Sequence, residues 1–311
     1  MRIFLAGASG AIGRPLVPAL VAAGHRVTGM TRRERAAERI REDGAEAVIC
    51  DVFDPEALEV AVGAARPDVV VHQVTSFPTV LEPRKKGLFD THNRVRREGT
   101  RNLIAAARAA GATRFVAQSI AFVYAPVGGP VKTEDDPVAE GAGGEFGATL
   151  DAALELDRQV LGADGLDGLA LRFGAFYGPG TSYAADGHQA SEVRRRRFPI
   201  VGDGAGIASF IHVVDGAAAT VAACERGAPG IYNICDSDPA ALREWLPVYA
   251  EALGAKRPLR VPKLVVRAVA GEPAVILTTT MRGASNRKAV GALGWEPRYP
   301  SWRQGFFEAL G

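Results

Sequence analysis

The sequence is poor in cysteine, in surplus charge and in long apolar runs. Its three cysteines, Cys50, Cys224 and Cys235, lie far apart, without the CxxC spacing or clustered histidines that hold a metal ion. We therefore predict buried thiols in a reducing compartment and no metal site. The 37 basic and 35 acidic residues nearly cancel, so no broad field for nucleic acid or a membrane surface arises. These absences favour a small-molecule partner.

No apolar run is long enough to cross a bilayer. The stretch Leu264 to Met281 comes nearest, but Arg267, Glu272 and Pro273 interrupt it. The chain enters a strand pattern at once, at Ile3 to Ala6, which leaves no room for a signal peptide ahead of the fold. We expect a cytoplasmic protein.

Short β-branched runs alternate with longer helical patterns in the first half of the chain, which predicts parallel βαβ units. The predicted strands are Ile3 to Ala6, Arg26 to Met30, Ala47 to Ile49, Val69 to His72, Phe115 to Gln118 and Leu169 to Phe173. The predicted helices are Ala11 to Ala23, Arg33 to Glu42, Pro55 to Ala64, Lys86 to Ala110 and Gly147 to Ala163, with left-handed caps at Gly24, Gly44 and Gly111.

This pattern predicts an α/β fold, a doubly wound Rossmann sheet with a smaller C-terminal lobe. Residues 1–176 would form the dinucleotide-binding domain, and residues 201–235 would return to it with the helix His212 to Cys224 and the strand Ile231 to Ile234. Residues 177–200 and 236–311 would form the substrate lobe. The glycine-rich stretch Gly128 to Gly147 is the best candidate for a mobile loop. The basic run Arg194 to Arg197 indicates a solvated helix end or an anion contact in a substrate loop.

The segment Gly7 to Gly13 carries glycines at its first, fourth and last positions, directly after a strand and at the start of a helix. In this context, glycines let the backbone turn tightly and approach a pyrophosphate, which the helix dipole stabilises. We therefore expect Gly7, Ser9, Gly10, Ala11 and Ile12 to bind a dinucleotide.

The residues at the end of the second predicted strand indicate whether the dinucleotide is NAD or NADP(H). An acidic residue there would bind the ribose 2′-hydroxyl of NAD, but the chain has Thr31 and Arg32 followed by Arg33. A guanidinium pairs with a 2′-phosphate, so Arg32, helped by Thr31, favours NADP(H). Arg14 points the same way, because a cation in the first turn of a helix is unfavourable unless an anion lies nearby.

Over nearly its whole length the chain resembles the NAD(P)-dependent epimerase/dehydratase family, the extended short-chain dehydrogenase/reductases. The resemblance rests on marks in a specific order: Gly7 to Gly13, Asp51-Val52, His72 to Thr75, Gly99 to Leu103, Arg172, Tyr177 to Gly180, Gly202 to Gly204, Phe210 to Val213 with Asp215, Tyr232-Asn233, and Leu293 to Trp295 with Pro297.

The resemblance implies a nicotinamide laid across the carboxyl ends of the strands, with substrate held between the sheet and the smaller lobe. It also implies that several further residues line the cofactor: Asp51, Val52, Gln73, Val74, Thr75, Gln118, Phe173 and Phe176. A homodimer is the common assembly of the family.

The catalytic positions of the family hold a Ser or Thr, and a Tyr with a Lys four residues later. In this chain the segment Ser119 to Tyr124 places Ile120 at the hydroxyl position, and Ser119 falls on the opposite face of the strand. Phe146 and Leu150 occupy the tyrosine and lysine positions. An apolar wall of Ile120, Phe146 and Leu150 would suit a hydrophobic substrate.

Few replacements for the missing acid are available. Tyr177 follows the sixth predicted strand and is the first candidate, with His188 second and Tyr183 a substrate contact. Tyr124 is interpreted as structural, and His72 and His212 as core histidines. Asp151 and Glu155, one helical turn apart, are interpreted as exposed carboxylates.

These observations predict an NADP(H)-dependent oxidoreductase with an atypical active site, acting on a small or medium, largely apolar carbonyl, imine or enone. Two alternatives stay open at this point. One is a non-catalytic NADP(H)-binding regulator or scaffold. The other is an epimerase or dehydratase acting on a sugar nucleotide.

Overall fold

The computed structural model describes residues 1–78 and 87–310. Along the described chain, the strands are β1 Arg2–Ala6, β2 Arg26–Thr31, β3 Glu46–Ile49, β4 Val69–His72, β5 Arg114–Ile120, β6 Val131–Lys132, β7 Asp167–Phe173, β8 Ala175–Tyr177, β9 Ile200–Val201, β10 Ile207–Ala208, β11 Phe210–His212, β12 Gly230–Ile234, β13 Ala240–Ala241, β14 Arg260–Val261 and β15 Gly283–Ala284. The helices are α1 Gly13–Ala22, α2 Glu34–Glu42, α3 Pro55–Ala65, α4 Asp90–Arg94, α5 Thr100–Ala109, α6 Gly144–Leu161, α7 His188–Arg194, α8 Val213–Glu225, α9 Leu242–Ala252, α10 Lys263–Thr279, α11 Arg287–Leu293 and α12 Trp302–Leu310.

Seven strands form one parallel sheet in the order β12-β7-β5-β4-β1-β2-β3. The order reverses at β1, so the crevice of a doubly wound fold opens at the carboxyl ends of β1 and β4. Each strand predicted for this sheet is present, with ends that differ by no more than two residues, and the α/β fold is confirmed. The returning strand is confirmed too, because β12 pairs with β7 from Gly230 to Ile234.

Helices cover both faces of the sheet, which is why its strands are apolar on both sides. One face packs against α1 and α8 through side chains such as Leu5, Val71 and Leu171. The other face packs against α3, α5 and α6 through side chains such as Phe4, Phe115 and Leu156. The core is therefore two layers of side chains with the sheet between them.

Local signals explain where the helices begin and end. Helix α3 begins after Asp54, whose side chain accepts the Ala57 N–H, and Pro55 occupies its first position. Gly24, Gly44 and Gly111 follow their helices with φ of +81°, +88° and +73°, as predicted. The predicted start of the fourth helix at Lys86 lies outside the described residues. Within them, α4 and α5 are joined by a π-helical turn, Val95–Gly99.

A separate cluster of buried aromatic and aliphatic residues forms the core of the second lobe. It includes Tyr177, Phe210, Trp245, Trp302 and Phe306, and so draws on β8, β11, α9 and α12. This cluster begins at Tyr177, where the sequence predicts the lobe to begin. The residue boundaries of the two lobes stay a prediction.

Much of the predicted mobile loop is held in place. The buried Lys132 ammonium donates to Asp136 Oδ1 at 3.1 Å, and Glu134 accepts the Asn233 N–H at 2.7 Å. Strand β6 pairs with β15, and Tyr124 bridges to Val138. These contacts fix the first half of the stretch against β12 and the C-terminal part of the chain.

Candidate functional site

The glycines of the loop between β1 and α1 have different tasks. Gly7 has φ of +92°, and a Cβ there would lie 2.6 Å from the Gln73 carbonyl carbon. A Cβ on Gly13 would lie 2.3 Å from the Gly7 carbonyl oxygen. Gly10 meets only that same oxygen, at 3.4 Å. Gly7 and Gly13 therefore permit close packing, whereas Gly10 leaves an open side for a ligand.

The first turn of α1 is built to receive an anion. Ile12, at the N-cap, makes no side-chain capping bond, and no acidic residue lies in the first turn. The N–H groups at a helix N-terminus and the helix dipole stabilise negative charge. Together with the open side of Gly10, these residues fit the pyrophosphate of a dinucleotide.

A cavity of about 290 Å³ lies between this loop and α2. Ser9 lines it, and the Ser9 Oγ lies 3.2 Å from Thr31 Oγ1. Four arginines line the cavity: Arg14, Arg33, Arg35 and Arg39. The donor set fits a phosphate group, because guanidinium forks pair with phosphate oxygens. The prediction for Arg14 therefore gains support from its surroundings.

Arg32 lies outside this cavity lining. Its guanidinium is 65% exposed and lies 3.6 Å from the Asp51 carboxylate. Asp51 also accepts the Phe53 N–H through its other oxygen, at 3.0 Å. Sequence reasoning singled out Arg32 and missed Arg35 and Arg39, although their four-residue spacing on α2 already indicates a shared helix face.

The Asp51-Val52 pair contacts the π-helical turn and α5. Asn102 Nδ2 donates to the Val52 carbonyl at 3.0 Å, and a Cβ on Gly99 would lie 3.0 Å from Val52 Cγ2. Two segments that carry the family resemblance, Asp51-Val52 and Gly99 to Leu103, therefore contact each other in the fold.

Two consecutive side chains at the end of β4, those of His72 and Gln73, differ in their hydrogen bonding. His72 Nε2 pairs with Thr100 Oγ1 at 3.1 Å, and its Nδ1 accepts the Val74 N–H. Burial, followed by the charge of Arg96, lowers the pKa of His72 to about 4, which confirms a core histidine. Gln73 is 4% exposed, and neither polar atom of its side chain has a partner among the described residues. Such an amide fits a ligand lying over the strand end. Thr75 follows and is exposed.

The three predicted wall residues lie together. Ile120 and Phe146, both half-buried, pack against a cluster that contains Leu150 and Val123. Leu150 is 2% exposed, so it forms the back of the wall. Ser119 is buried on the other face of β5, as its one-residue offset predicts.

A buried polar network lies behind that other face. Arg172 donates to Asp157 Oδ2, with Nη2 at 2.8 Å, and to the Tyr124 hydroxyl at 3.2 Å. The Tyr124 hydroxyl donates in turn to Asn233 Oδ1 at 2.6 Å. Burial raises the pKa of Tyr124 to about 12. These contacts explain Arg172 and Tyr124 as parts of the scaffold, in agreement with the structural role predicted for Tyr124.

Tyr177 is not placed to act as the proton donor. It is 1% exposed, and its ring packs edge-on against Phe306 of α12 and Phe210 of β11. Its hydroxyl points at Gly305, where an added Cβ would lie 2.0 Å away. Burial raises the pKa of Tyr177 well above its usual value. The phenol belongs to the core of the second lobe, and we correct the sequence assignment accordingly.

The two other candidate site residues after β8, Tyr183 and His188, have different surroundings. The half-buried Tyr183 ring packs against Phe210, Trp245 and Tyr249, so the predicted substrate contact belongs largely to the same core. His188 is the first residue of α7 and is half-buried. It stays a candidate contact at the start of that helix.

Phe173 and Phe176 meet the cofactor loop from the other side. Their rings lie 5.0 Å apart, and a Cβ on Gly216 of α8 would approach both rings and Ile12 within 3.5 Å. His212 caps the start of α8, where its Nδ1 accepts the Val214 N–H, and burial lowers the pKa of His212 to about 4. Its predicted structural role is confirmed.

Sequence reasoning missed a buried cation on the π-helical turn. Arg96, on the π-helical turn, is 6% exposed and donates to the Thr149 carbonyl of α6 at 3.1 Å. Burial lowers its pKa to about 10. Burial, followed by the charge of Arg96, lowers the pKa of the buried His92 to about 3. A π-helical turn often occurs at a functional region, but the sequence pattern does not predict this turn.

Residues 1–78 and 87–310 lack a metal centre of clustered side chains and a membrane-spanning helix. No three His, Cys, Asp or Glu side chains gather there into a group that could hold a metal ion. Of the helices there, none combines the length and the apolar character needed to span a bilayer. The three cysteines are buried and unpaired, as predicted.

Known proteins are similar to this chain in sequence. The chain is 46% identical to the 3-diazoavenalumate denitrifying reductase of a Streptomyces species, over 98% of this chain and 99% of that protein. It is 29% identical to the 2-alkyl-3-oxoalkanoate reductase of Stenotrophomonas maltophilia, over 83% of this chain and 77% of that protein.

Solved structures share the fold. The UDP-glucose 4-epimerase of Thermotoga maritima, determined with UDP-glucose, matches with a TM-score of 0.77 and 21% identity, over 99% of this chain and 97% of that one. The dTDP-glucose 4,6-dehydratase of Streptomyces venezuelae, determined with NAD, matches with a TM-score of 0.78 and 20% identity, over 99% of this chain and 95% of that one. The model of the NAD dependent epimerase/dehydratase family matches residues 3–235. The chain belongs to the NAD dependent epimerase/dehydratase family, and it is a reductase-type enzyme of that family.

Proposed function

We propose that this protein is an NADP(H)-dependent reductase whose acceptor takes a hydride without needing a proton from the protein. The observation that carries the proposal is the cluster of Ile120, Phe146 and Leu150. By resemblance, these positions belong to the hydroxyl, the phenol and the amine that serve a carbonyl substrate. Hydrocarbon side chains neither donate nor accept protons, so this wall does not serve a reaction that depends on general acid catalysis.

The cavity beside α2 supports the phosphorylated cofactor. Arg14 and Arg33 line this cavity together with Ser9, and Arg35 and Arg39 continue the positive lining along α2. A 2′-phosphate there would receive charge-assisted hydrogen bonds. Arg32 could add a further contact by exchanging its Asp51 partner for the phosphate. The bound cofactor would supply the hydride.

The missing proton donor narrows the acceptor class. Reduction of a ketone consumes one hydride and one proton, because the oxygen becomes a hydroxyl. Replacement of an aryl diazonium group consumes a hydride alone: a carbon–hydrogen bond forms, the carbon–nitrogen bond breaks, and its electron pair leaves with dinitrogen. The name of the 46% identical relative describes a reductase that removes nitrogen from a diazo compound. We extend that chemistry to this chain and propose a diazo arene as substrate.

The wall residues then have roles that do not involve protons. Ile120 and Phe146 offer half-buried apolar surface to the flat face of an aromatic ring. Leu150 fixes the wall from behind and keeps water out of it. Exclusion of water matters for such a substrate, since water competes with hydride for the electrophilic carbon.

A labelling experiment tests the proposal. The protein is incubated with 4-carboxybenzenediazonium and NADPH carrying deuterium at both C4 positions, beside a reaction without protein. We expect enzyme-dependent benzoate with one deuterium on the ring carbon that carried nitrogen. With unlabelled NADPH in D₂O, the ring should carry no deuterium, because the hydrogen comes from the cofactor.

The outcomes separate the candidate functions. Rapid reduction of ketones or enones, without enzyme-dependent reduction of the diazonium, would refute the proposed acceptor class. Tight NADPH binding with no hydride transfer to any diazonium, carbonyl, imine or enone would favour the regulator. Interconversion of a sugar nucleotide without net consumption of cofactor would favour the epimerase.

A further inference from the structure

Two exposed segments of the second lobe carry a concentrated positive charge. Residues 252–271 contain five basic and no acidic side chains. The five are exposed: Lys256, Arg257, Arg260, Lys263 and Arg267. The basic run Arg194 to Arg197, at the end of α7, is exposed as well. The near balance of charge over the whole chain therefore conceals a local excess.

Strands β9 and β14 bring these two segments together. Ile200 pairs with Arg260 in a parallel register, so the residues that precede each strand approach the pair from the same end. The Arg196 guanidinium donates to the Arg257 carbonyl at 3.3 Å, which confirms that the two basic segments are in contact. Helix α10 begins directly after β14, at Lys263.

Most of these cations lack a carboxylate partner. Arg267 pairs with Glu272 of the same helix. Among the described residues, none of the other eight cations of the two segments forms an ion pair. Unpaired guanidinium and ammonium groups that share one surface create a positive potential there, which attracts anions.

Large aliphatic side chains protrude beside the cations. Leu264, Val265 and Val269 of α10 are 73%, 49% and 64% exposed, and Leu259 is 43% exposed. Val266 is the buried member of this turn, so the other three lie on the solvent side of the helix. A surface helix normally presents polar groups to solvent, and clustered exposed aliphatic residues indicate a contact surface.

A bilayer that contains anionic lipid matches both features. Its phosphate groups lie next to hydrocarbon, so a surface that combines cations with protruding aliphatic side chains binds at that boundary. A second copy of the chain is a poorer match, because a two-fold interface would bring the cations of one copy against those of the other. Nucleic acid would attract the cations, but its bases stack on aromatic rings, whereas these protruding side chains are aliphatic.

We propose that a docking surface, formed by Arg194 to Arg197, Lys256 to Arg260 and the first half of α10, binds the protein to an anionic membrane surface. The aliphatic side chains of α10 enter the boundary between headgroups and acyl chains, and the cations pair with lipid phosphates. The contact is peripheral and needs no membrane-spanning helix. It is independent of the reaction proposed above, since docking requires neither cofactor nor substrate.

Vesicle flotation with the full chain tests the docking surface. The probes are vesicles of phosphatidylcholine alone and vesicles of phosphatidylcholine mixed with phosphatidylglycerol. Wild type should bind the mixed vesicles at least about tenfold more strongly than the neutral ones, and added salt should weaken that binding.

Paired substitutions separate the aliphatic contribution. Leu264→Ser with Val269→Ser should weaken binding to mixed vesicles at least about tenfold, because two aliphatic groups no longer enter the bilayer. The matched control is Ile49→Ser with Val60→Ser, which changes two aliphatic residues of 49% and 73% exposure on β3 and α3 and should leave binding unchanged. Both pairs should keep melting temperatures near that of wild type, since all four positions are exposed.

A second set of variants separates the charge. Lys256→Gln with Arg257→Gln should weaken binding to mixed vesicles about tenfold and reduce its salt dependence. Arg26→Gln with Arg101→Gln, at exposed positions of β2 and α5, is the control and should change neither.

Three results would overturn the inference: no binding of wild type to mixed vesicles, equal binding to both kinds of vesicle, or equal losses in the test and control pairs. Dimerisation in sedimentation velocity that Leu264→Ser with Val269→Ser abolishes, without vesicle binding, would also overturn it and assign the surface to a second copy. The proposed reaction is decided separately, by the deuterium experiment, which contains no lipid.

Discussion

Ser9 Oγ lies 3.2 Å from Thr31 Oγ1, which joins the loop after β1 to the end of β2. The backbone N–H of Arg33 also points at Thr31 Oγ1, at 3.4 Å. This contact fixes the start of α2 relative to the start of α1. The cavity between the two helices therefore has two walls of defined separation, each bearing arginine, before any ligand binds.

The first prediction concerns cofactor choice. We expect NADPH to bind more tightly than NADH, and Arg33→Ala to weaken NADPH by about 10- to 100-fold, or about 1.5 to 3 kcal/mol, because one charge-assisted contact to the 2′-phosphate is lost. Arg32→Ala should have a smaller effect, since that guanidinium is exposed and pairs with Asp51. Calorimetry with both cofactors measures the difference. Equal weakening of NADH and NADPH by Arg33→Ala would show that the phosphate is bound elsewhere.

The sequence predicts the sheet and the cofactor loop because their signals are local. Short β-branched runs, glycines at φ above zero and the strand-loop-helix context each depend on neighbouring residues. The predicted replacement of the catalytic triad is also a local inference, since Phe146 and Leu150 have the four-residue spacing of the family's Tyr and Lys.

The setting of Tyr177 could not be predicted in this way. Its burial depends on Gly305 and Phe306 in the last helix, and no local pattern connects residues so far apart in the chain. Gln73 and Gln118 could be named from the sequence, but their neighbouring positions follow only from the register of β4 and β5. Arg35 and Arg39 are partly predictable. Their spacing indicates that they share a helix face, but the sequence does not show what that face contacts.

The second prediction separates two glycines of the cofactor loop. Gly13→Ala should destabilise the free protein by about 1 to 3 kcal/mol, because its Cβ would lie 2.3 Å from the Gly7 carbonyl oxygen. Gly10→Ala should leave the free energy of unfolding within about 1 kcal/mol of wild type and weaken NADPH at least tenfold. Urea unfolding of the free protein and calorimetry measure the two effects. Unchanged cofactor affinity in Gly10→Ala would mean that its open side does not face the pyrophosphate.

The third prediction concerns partial restoration of the family's catalytic residues. Leu150→Lys should destabilise the protein by roughly 2 to 5 kcal/mol, because it replaces a buried apolar side chain in a close-packed cluster with an ammonium group. Phe146→Tyr should change the stability by less than about 1 kcal/mol, since Phe146 is half-buried and its hydroxyl would reach the exposed side. Denaturant unfolding tests both. A Leu150→Lys protein as stable as wild type would place position 150 in the open cleft.

The last prediction is a pH dependence that originates at His72. Burial, then the charge of Arg96, lowers the pKa of His72 from its ordinary 6.5 to about 4. Between these values the unfolded chain binds a proton that the folded protein does not, so stability is fully present above about pH 6.5 and is lost as the pH falls toward 4. The slope assigned to this one histidine is about 1.4 kcal/mol per pH unit in the middle of that range. We expect His72→Gln, which keeps a polar contact to Thr100, to lose that slope, so that the difference between its unfolding free energy and that of wild type changes with pH over this range. His188→Gln, at the start of α7, is the matched control. Guanidinium unfolding at intervals from pH 4.5 to 7.5 gives the curves, and parallel curves for wild type and His72→Gln would refute the prediction.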